Sequence, residues 1–370
     1  MTAVPRAAGL TRAGWLGVAA VAVVLLLAPV IFSDFFYGVL LSQALWLGLV
    51  AMSLIFLSSY GGMVSLAQVG IFGIAGLAAA NLAPAQGGLD VAIDPWLATL
   101  LGIAIAVAVA LIFGAIAARS EGIYFLMITL AFGVIVFFFF GQVTQVSGHG
   151  GVNSVEVPAI VGSQTDDPAS LYYISLAVAA IAFVAVLYLG RTPFGLTLQG
   201  IRDDPTRMRA LGYNVALHRT LAFAAAGLIA AVAGILSVWY TRRIGPGSVD
   251  LATVIDVLVV AVIGGLYRLQ GAWVGALVFV LLDNYSREWT PDVGSVLGPE
   301  RFNTLLGLIF LTIVLVSPGG LVGAWEQARD WIRSRLGGQP ARAAPEPAGA
   351  PVAEEGVDRG GGAADRPGVP

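Results

Sequence analysis

The sequence predicts an all-α protein that crosses a membrane many times. Of its 370 residues, 58% are hydrophobic and only 11% are charged, which is far from the composition of a soluble domain. No Asp, Glu, Lys or Arg occurs between Phe35 and Leu89, or between Pro95 and Ala118. Uncharged apolar runs of this length are typical of membrane-spanning helices, since about 20 residues cross the hydrocarbon core.

About ten such helices are predicted. They cover residues 14–32, 39–59, 62–83, 96–118, 123–143, 171–189, 220–240, 251–266, 271–283 and 302–316. The first is longer than the apolar core of a typical signal peptide, and more spans follow it, so it is interpreted as an uncleaved helix. The third, eighth and ninth are short or rich in glycine, so we expect them to be broken or re-entrant. Residues 1–336 form the predicted transmembrane domain, and residues 337–370 form a disordered cytoplasmic tail, because they contain few large apolar side chains.

The placement of arginine predicts the orientation. With ten spans and the N-terminus inside, the cytoplasmic side receives most arginines, including the cluster in the loop 191–219. Only Arg242, Arg243, Arg287 and Arg301 then lie outside. Because positive residues are enriched in cytoplasmic loops, both termini are predicted to be cytoplasmic.

Two residue types that are missing from the chain exclude several function classes. All 19 basic residues are arginine, and neither lysine nor cysteine occurs. A standard P-loop needs its lysine, so the chain cannot carry that type of ATP site. The lack of cysteine excludes disulfides, thiolate metal sites and cysteine nucleophiles. The only histidines, His149 and His218, lie in separate predicted loops, which disfavours a histidine metal site.

The charged segment Arg202–Gly212, RDDPTRMRALG, predicts a short helix outside the membrane. Asp204 suits the N-cap, Pro205 the first helical position, and Gly212 the left-handed position after the last turn. Asp203 and Asp204 also complement the positive end of the helix dipole. A rigid charged element can dock a soluble partner, but an ordinary positively charged cytoplasmic loop accounts for the segment equally well.

Polar residues within apolar spans are candidates for a translocation path. Ser65 and Gln68 lie three residues apart and therefore on one helix face. They line a hydrated path or hydrogen-bond between helices, and spacing alone favours the second. Asp256 contacts a solute or proton, or it pairs with Arg242 or Arg243 near the interface, and we favour the pairing.

The loop Ser147–Asn153, SGHGGVN, follows the fifth predicted span. Its glycines can present backbone amides to a solute, or they can form a plain turn. His149 alone does not make the loop catalytic. No Ser/His/Asp spacing, HExxH motif or carboxylate pair stands out, so the sequence indicates no catalytic constellation.

Four sequence blocks, in order, resemble the LivM-type permease subunits of ATP-binding-cassette importers for branched-chain amino acids. They are Gly61–Gly76 (GGMVSLAQVGIFGIAG), Glu121–Gly133 (EGIYFLMITLAFG) with the loop SGHGGVN after it, Arg191–Phe223 and Val259–Leu277. The third block is the most specific, since PFG, IRDD and ALG precede a new span in that order. Ala67 stands where SLGQ-like members have glycine, and the polar pattern after SGHGG also departs from the usual one. These departures weaken the assignment of a solute more than that of a fold.

The resemblance implies roles for individual residues. Those implied to couple the permease to an ATPase are Arg202, Asp203, Asp204, Ala210 and Gly212. Those implied to lie near the translocation path are Ser65, Gln68, Gly150, Gly151, Asn153 and Asp256.

The resemblance also implies partners and a location. The permease would work in the bacterial inner membrane with a homologous second permease, two ATPases and an extracytoplasmic solute-binding protein. It would contact lipid and a small-molecule solute, bind no nucleic acid or cofactor, perform no bond chemistry, and leave ATP to its partners. Urea and short-chain amide importers use permeases of the same type. A proton-coupled secondary transporter that uses Asp256 and a polytopic membrane enzyme are weaker alternatives.

Overall fold

The computed structural model describes residues 23–89, 91–147, 150–158, 160–162, 168–288 and 320–323, with the single residues 307 and 311. Within these ranges the regular secondary structure is entirely helical. The helices are α1 (Ala28–Ile31), α2 (Phe36–Gly61, π-helical over Phe36–Leu41), α3 (Gln68–Leu82), α4 (Pro95–Ala117), α5 (Ile123–Gln142), α6 (Pro168–Arg191), α7 (Pro193–Asp203), α8 (Pro205–Ala210), α9 (Val215–Thr241), α10 (Leu251–Gly264) and α11 (Gly271–Glu288).

The described part contains 6 segments that are long and apolar enough to cross a membrane. They are α2, α4, α5, α6, α9 and Pro246–Gly264, which includes α10. α3 and the Gly271–Asn284 part of α11 are apolar but shorter. These helices confirm the all-α, multi-pass class. Most of the predicted first and tenth spans and the whole tail 337–370 lie outside the described residues, so the count of ten and the sides of the termini stay predictions.

The bundle is built around α2 and α9. In their apolar windows 78% and 61% of residues are buried, against 28% in α4 and α5 and 22% in α6. α9 packs most extensively on α4, α3 and α2, while α2 also contacts α11, α6 and α10. α4, α5 and α6 therefore present exposed apolar faces, as expected of helices that meet lipid or another membrane subunit.

Small residues bring α3 and α9 into close contact. A Cβ atom on Gly234 of α9 would overlap the backbone oxygen of Phe72 in α3. Ala226 and Ala230, on the same stripe of α9, are fully buried. Such small-residue stripes let membrane helices approach closely without a polar interface. They fix α3 firmly in the centre of the bundle.

The third predicted span is broken at its start, as expected, whereas the eighth and ninth, for which a broken or re-entrant path was also expected, form the continuous helices α10 and α11. α2 ends at Gly61, and Gly62 has a left-handed φ of 66°. The following residues are not helical, and α3 starts only at Gln68. Ser65, Leu66 and Ala67 are nevertheless buried. Irregular backbone at membrane depth is tolerated only where protein or a cavity surrounds it. Because its residues are buried, this break is enclosed by the rest of the bundle.

The arginine-rich segment 191–219 contains less loop than predicted. α6 continues to Arg191, α7 and α8 follow, and α9 begins at Val215. The early start of α9 has a local cause, because Asn214 Oδ1 accepts the Leu217 N–H at 3.0 Å. We call the end of the bundle that carries α7, α8 and the connection 118–122 the arginine end. The opposite end, with the connections 83–94, 143–162 and 242–250, is called the loop end.

Candidate coupling and translocation sites

The N-terminus of α8 forms as the sequence predicts. Asp204 has an extended backbone and serves as N-cap, and its Oδ1 accepts the N–H groups of Thr206 and Arg207, both at 2.9 Å. Pro205 is the first helical residue, where its missing N–H leaves no donor unsatisfied. All of these interactions lie within four residues, so the chain completes this helix end by itself.

The C-terminus of α8 closes in a Schellman motif. Gly212 has a φ of 89°, and its N–H donates to the Arg209 oxygen at 3.0 Å. The Tyr213 N–H donates to the Met208 oxygen at 3.1 Å. No residue of α8 is buried, and Ala210 and Gly212 are exposed. α8 is thus a capped element that stands on the surface of the arginine end.

Arg202 anchors the base of this element to α2. Its guanidinium donates to the backbone oxygen of Ser59, and its Nη2 lies 2.8 Å from Asp203 Oδ1. The Arg202 side chain is only 19% exposed, whereas that of Asp203 is 68% exposed. Asp203 is the last residue of α7, so the prediction that it complements the positive end of the α8 dipole needs correction. The physical reason is that α7 continues to Asp203 before the extended Asp204 interrupts the helix.

Glu121 joins α8 to the rest of the bundle, a role that the sequence analysis did not identify. Its Oε1 accepts from Arg209 Nη2 of α8 at 3.2 Å and from Arg219 Nη1 of α9 at 2.9 Å. Glu121 precedes α5 in the connection from α4. The sequence did contain one sign of this role, because Glu121 is an acidic residue in a short connection on the side predicted to carry the arginine cluster. One carboxylate therefore links α8, α9 and the start of α5.

A cleft of about 390 Å³ lies beside this ion-pair network. Arginine dominates its charge, and it is lined by Ala118, Arg119, Arg209, Tyr213, Asn214, Val215, Ala216 and Arg219. Arg219 is 7% exposed, and its buried Nε has no hydrogen-bond partner among the described residues. The cleft is therefore cationic, and it can accept an acidic group of a docked protein.

Two hydroxyl groups hold the break before α3. Ser65 Oγ accepts the Ala67 N–H at 3.3 Å, and Thr129 Oγ1 of α5 accepts the Leu66 N–H at 3.2 Å. Ser65 and Thr129 are both fully buried. The interhelical hydrogen bond expected of Ser65 is therefore not found among the described residues, because its hydroxyl bonds two residues along its own segment; Thr129, and not Ser65, links the break to another helix. Thr129 lies in the second block of the resemblance and was not singled out from the sequence.

Gln68 is buried without any hydrogen-bond partner in the described part of the chain. Gln68 is 1% exposed. Among the described residues no donor reaches its Oε1 and no acceptor reaches its Nε2. The hydrogen bond between helices that spacing favoured is therefore not made by Gln68. A buried amide without partners costs about 1–3 kcal/mol.

Gly150, Gly151 and Asn153 belong to the segment 150–153 at the loop end. Backbone hydrogen bonds hold this segment on two sides, and we call it the clamped loop. Asn153 and Gln86 exchange backbone hydrogen bonds of 2.9 and 2.8 Å, and Val152 and Ile244 exchange bonds of 2.8 and 2.9 Å. Gly151 has a φ of 67°, and a Cβ there would lie 2.5 Å from the Ile244 oxygen.

Asn153 is exposed, and its Nδ2 donates to the Gly150 oxygen at 3.3 Å. The clamped loop joins the connections after α3 and α9. It is separated from Gln68 by the 15-residue helix α3, about 20 Å long. His149 and Gly148 of the SGHGGVN loop lie outside the described residues.

Asp256 lies half-buried on α10, and the expected ion pair with Arg242 or Arg243 is absent. Each ion pair found in the described ranges involves Asp203 or Glu121. Arg242 instead ends α9 in a left-handed conformation, and its Nη2 donates to the Gly162 oxygen at 3.5 Å. The pairing prediction was wrong because the backbone at the end of α9 directs this arginine towards another loop.

The predicted site residues thus fall into separate places. The five residues assigned to coupling come together around α7 and α8. The six assigned to the path are divided between the break before α3, the clamped loop and α10. No group of three or more His, Asp or Glu side chains that is suited to a metal ion occurs in the part of the chain that the structure describes.

Comparison with known proteins supports the resemblance. The high-affinity branched-chain amino acid permease LivM of Escherichia coli is 24% identical over 228 residues, covering 55% of this chain and 52% of LivM. The probable LivM of Methanocaldococcus jannaschii is 27% identical over 187 residues, covering 48% of this chain and 53% of that protein. The probable LivH of the same archaeon is 23% identical over 162 residues, covering 43% and 50%.

The chain spans about half the length of the curated relatives it matches. No solved structure matches it. The model of the family described as the permease component of the branched-chain amino acid transport system matches residues 36–316, which include all eleven residues assigned above. The described helices α2 to α11 lie within that range. This chain therefore belongs to the branched-chain amino acid transport permease family.

Proposed function

We propose that this chain is the transmembrane permease subunit of an ATP-binding-cassette importer for leucine, isoleucine and valine. It works in the bacterial inner membrane with a homologous second permease, two ATPases and an extracytoplasmic binding protein. Ten spans place both termini and the arginine end in the cytoplasm. The chain catalyses no reaction and binds no cofactor of its own, and ATP is bound by the partner ATPases.

The observation that carries this proposal is the construction of α8. The helix is exposed on the arginine end, but its start is fixed by Asp204 and its end by Gly212. Arg209 ties it to Glu121, and Arg202 ties its base to α2. An exposed element with rigid attachments can receive a force from a docked protein and pass it to the bundle. The cationic cleft beside it suits acidic side chains of an ATPase.

The attachments suggest how the force reaches the centre. Glu121 lies two residues before the start of α5, and Thr129 of α5 holds the backbone of Leu66 in the break. A displacement of α8 when the ATPases close therefore pulls on α5 and on the break before Gln68. The binding protein docks at the loop end, where the clamped loop offers a fixed surface. The importer alternates in this way between outward-open and inward-open states.

A proton-coupled secondary transporter is the second candidate, and one observation favours it. Asp256 lies half-buried on α10 and forms no ion pair with any described residue. Such a carrier needs no ATPase and loses proton coupling on Asp256→Asn. The exposed α8 has no evident role in that mechanism, so the importer is preferred.

Purification in a gentle detergent tests the proposal. The tagged protein is recovered from its own membranes, and the proteins that accompany it are identified. We expect P-loop ATPases and a second permease, and ATP-dependent uptake of leucine after reconstitution with the binding protein. Uptake of urea or acetamide in place of leucine would reassign the solute. Recovery of the chain alone, with transport that needs no ATP, would overturn the importer and favour the Asp256 carrier.

A further inference from the structure

The N-terminus of α3 lies in the middle of the bundle and has no side-chain cap, and we call it an unfinished helix end. Its N-cap, Ala67, provides no side-chain hydrogen bond to the first turn. The hydroxyls of Ser65 and Thr129 accept from Ala67 and Leu66, which precede the helix, and not from the helical residues. The first N–H groups of a helix have no intrahelical acceptor. They therefore point into the protein with their positive dipole end uncompensated.

The unpartnered amide of Gln68 is a second and independent sign of a ligand. Gln68 is the first residue of α3, and helical side chains lean towards the N-terminus of their helix. The amide consequently lies beside the unfinished helix end, and both of its polar atoms are buried without a partner among the described residues. Two hydrogen-bonding systems at one place are incomplete, and each needs a group that the described residues do not supply.

Trp46 adds a third donor on the same side of α3. Its indole stacks on Phe72 with ring centroids 5.8 Å apart, and its buried Nε1 has no partner within the described ranges. Phe72 and Gln68 are four residues apart and share a helix face. An indole N–H can only donate. The apolar stack of Trp46 and Phe72 thus lies one turn from the amide and offers surface for an aliphatic side chain.

The depth of this group corresponds to the middle of a membrane. Trp46 follows the start of α2 by ten residues, and Phe72 precedes the end of α3 by ten residues. Both distances are measured from the loop end, and ten helical residues rise about 15 Å. The hydrocarbon core is about 30 Å thick. Broken helices whose N-termini lie at mid-membrane depth can receive anionic groups there.

Donors outnumber acceptors at this place, which determines the charge of the ligand. The helix N–H groups, the Gln68 Nε2 and the Trp46 Nε1 all donate, whereas both hydroxyl oxygens already accept a backbone N–H. No basic or acidic side chain occurs between Phe35 and Leu89 or along α5. A carboxylate satisfies these donors without a charged side chain, and the ammonium group of an amino acid can donate to Gln68 Oε1, the unpartnered acceptor at this place.

We infer that the N-terminus of α3 and the Gln68 amide bind the carboxylate of the imported amino acid, while its aliphatic side chain lies against Trp46 and Phe72. This inference rests on the proposed function for the identity of the solute, but not for the binding of an anion. Gln68 is almost completely buried, so the site is closed in the observed conformation and opens during the transport cycle.

The natural absence of cysteine makes a direct test possible. Ala67→Cys places a single thiol at the N-cap of α3 and keeps the Gln68 amide, and Ala80→Cys places a matched buried thiol near the other end of α3. The complex recovered with the tagged chain is treated during ATP hydrolysis with sulfonate-bearing and trimethylammonium-bearing methanethiosulfonates. Each rate is divided by the rate of that reagent with a free thiol in solution.

We expect the normalised preference for the sulfonate to be about tenfold greater at position 67 than at position 80, because of the dipole of the unfinished helix end. Leucine should slow the sulfonate reaction, whereas isoamylamine, which is leucine without its carboxylate, should not. Equal preferences at the two positions, or a thiol at 67 that never reacts while uptake continues, overturn the inference. Protection by inorganic sulfate but not by leucine also overturns it, because the site then holds a free anion.

A second pair of variants covers the case in which the thiol variant does not assemble. Gln68→Asn keeps the amide, and Gln68→Met removes it at similar length. Leucine uptake should fall at least about tenfold more in Gln68→Met than in Gln68→Asn, with equal recovery of the complex. Equal uptake by the two variants contradicts the inference. If the unmodified complex takes up no leucine, the proposed function fails, and the thiol charge preference still decides on the anion site.

Discussion

The helices α8 and α3 begin in opposite ways. α8 begins in water with Asp204, whose carboxylate accepts two N–H groups of the first turn. α3 begins inside the bundle after Ala67, which accepts none through its side chain. The first helix end is completed by its own chain, whereas at the second the Gln68 amide has no partner among the described residues and Ala67 caps none of the first-turn N–H groups.

The comparison separates a structural element from a candidate binding site. A helix end that is satisfied locally can be exposed and still be rigid, which suits a docking element. A helix end that is unsatisfied and buried lowers stability, so a protein keeps it only where a ligand or a conformational change benefits. In this permease the two ends are connected through Glu121, α5 and Thr129. The predictions below either break one of the two helix ends or weaken the connection between them.

The largest effect is expected at the break. Thr129→Val keeps the shape of the side chain but removes the acceptor of the buried Leu66 N–H, and the loss is roughly 1–3 kcal/mol of stability. The melting temperature of the purified complex should fall, and leucine uptake should fall with it. Thr197→Val is the control, because Thr197 is only partly buried and, among the described residues, its hydroxyl bonds to Pro193 of its own helix. Equal melting temperatures for the two variants would show that the hydroxyl of Thr129 does not hold the break.

The next effect concerns the end of α8. Gly212→Val forces a β-branched residue into a φ of 89°, which costs roughly 1–2 kcal/mol. We expect fewer ATPase subunits to be recovered with the tagged permease. Gly247→Val is a matched control, since both glycines have open space around them and only Gly212 has a positive φ. Unchanged recovery of the ATPase in Gly212→Val would show that docking does not depend on the C-terminal cap of α8.

Removal of the N-cap of α8 should have a somewhat smaller effect. Asp204→Ala leaves the Thr206 and Arg207 N–H groups without an acceptor and costs about 1 kcal/mol. Hydrogen exchange of these two amides should become faster, and leucine uptake per ATP hydrolysed should decrease. Asp203→Ala removes only an exposed ion pair and should change little. If Asp203→Ala lowers uptake per ATP as strongly as Asp204→Ala does, the coupling depends on the negative charge of these residues and not on the N-cap of α8.

The smallest effect is expected for the connection itself. Glu121→Gln weakens the ion pairs with Arg209 and Arg219, and because Glu121 is half exposed the loss is at most about 1 kcal/mol. Uptake per ATP should fall a few-fold at low salt, and the deficit should shrink as salt screens the unmodified pairs. Glu156→Gln at the loop end is the control, which should behave as the unmodified protein does. A deficit that does not depend on salt would mean that Glu121 acts through packing and not through charge.

Much of the fold could be predicted because its determinants are local or compositional. The uncharged runs fixed the membrane class, and the sequence order Asp204, Pro205 and Gly212 fixed α8, whose capping interactions join residues no more than five positions apart. The breakage of the third span was also expected from its glycines. The position of that break at Gly62–Ala67 was not, because Thr129 and the packing of α9 decide where α3 begins.

The candidate sites show the same division. The coupling residues are neighbours in sequence, so one local pattern indicated all of them. The path residues come from three blocks, and the structure separates Gln68 from Asn153 by the length of α3. The pairing of Asp256 with Arg242 was a reasonable expectation from charge, but the left-handed end of α9 turns Arg242 away.

By itself, the sequence determined the all-α membrane class, the absence of a P-loop lysine and the capped helix α8, since each depends on composition or on residues within one or two helical turns. The tertiary structure decided the contacts between distant residues. Thr129 meets Leu66 across 63 positions, and Glu121 meets Arg209 and Arg219 across 88 and 98. It also decided that Gln68 is buried with no hydrogen-bond partner in the part of the chain that the structure describes. A side chain carries no local sign of which distant groups will satisfy it, because that depends on how the whole bundle packs.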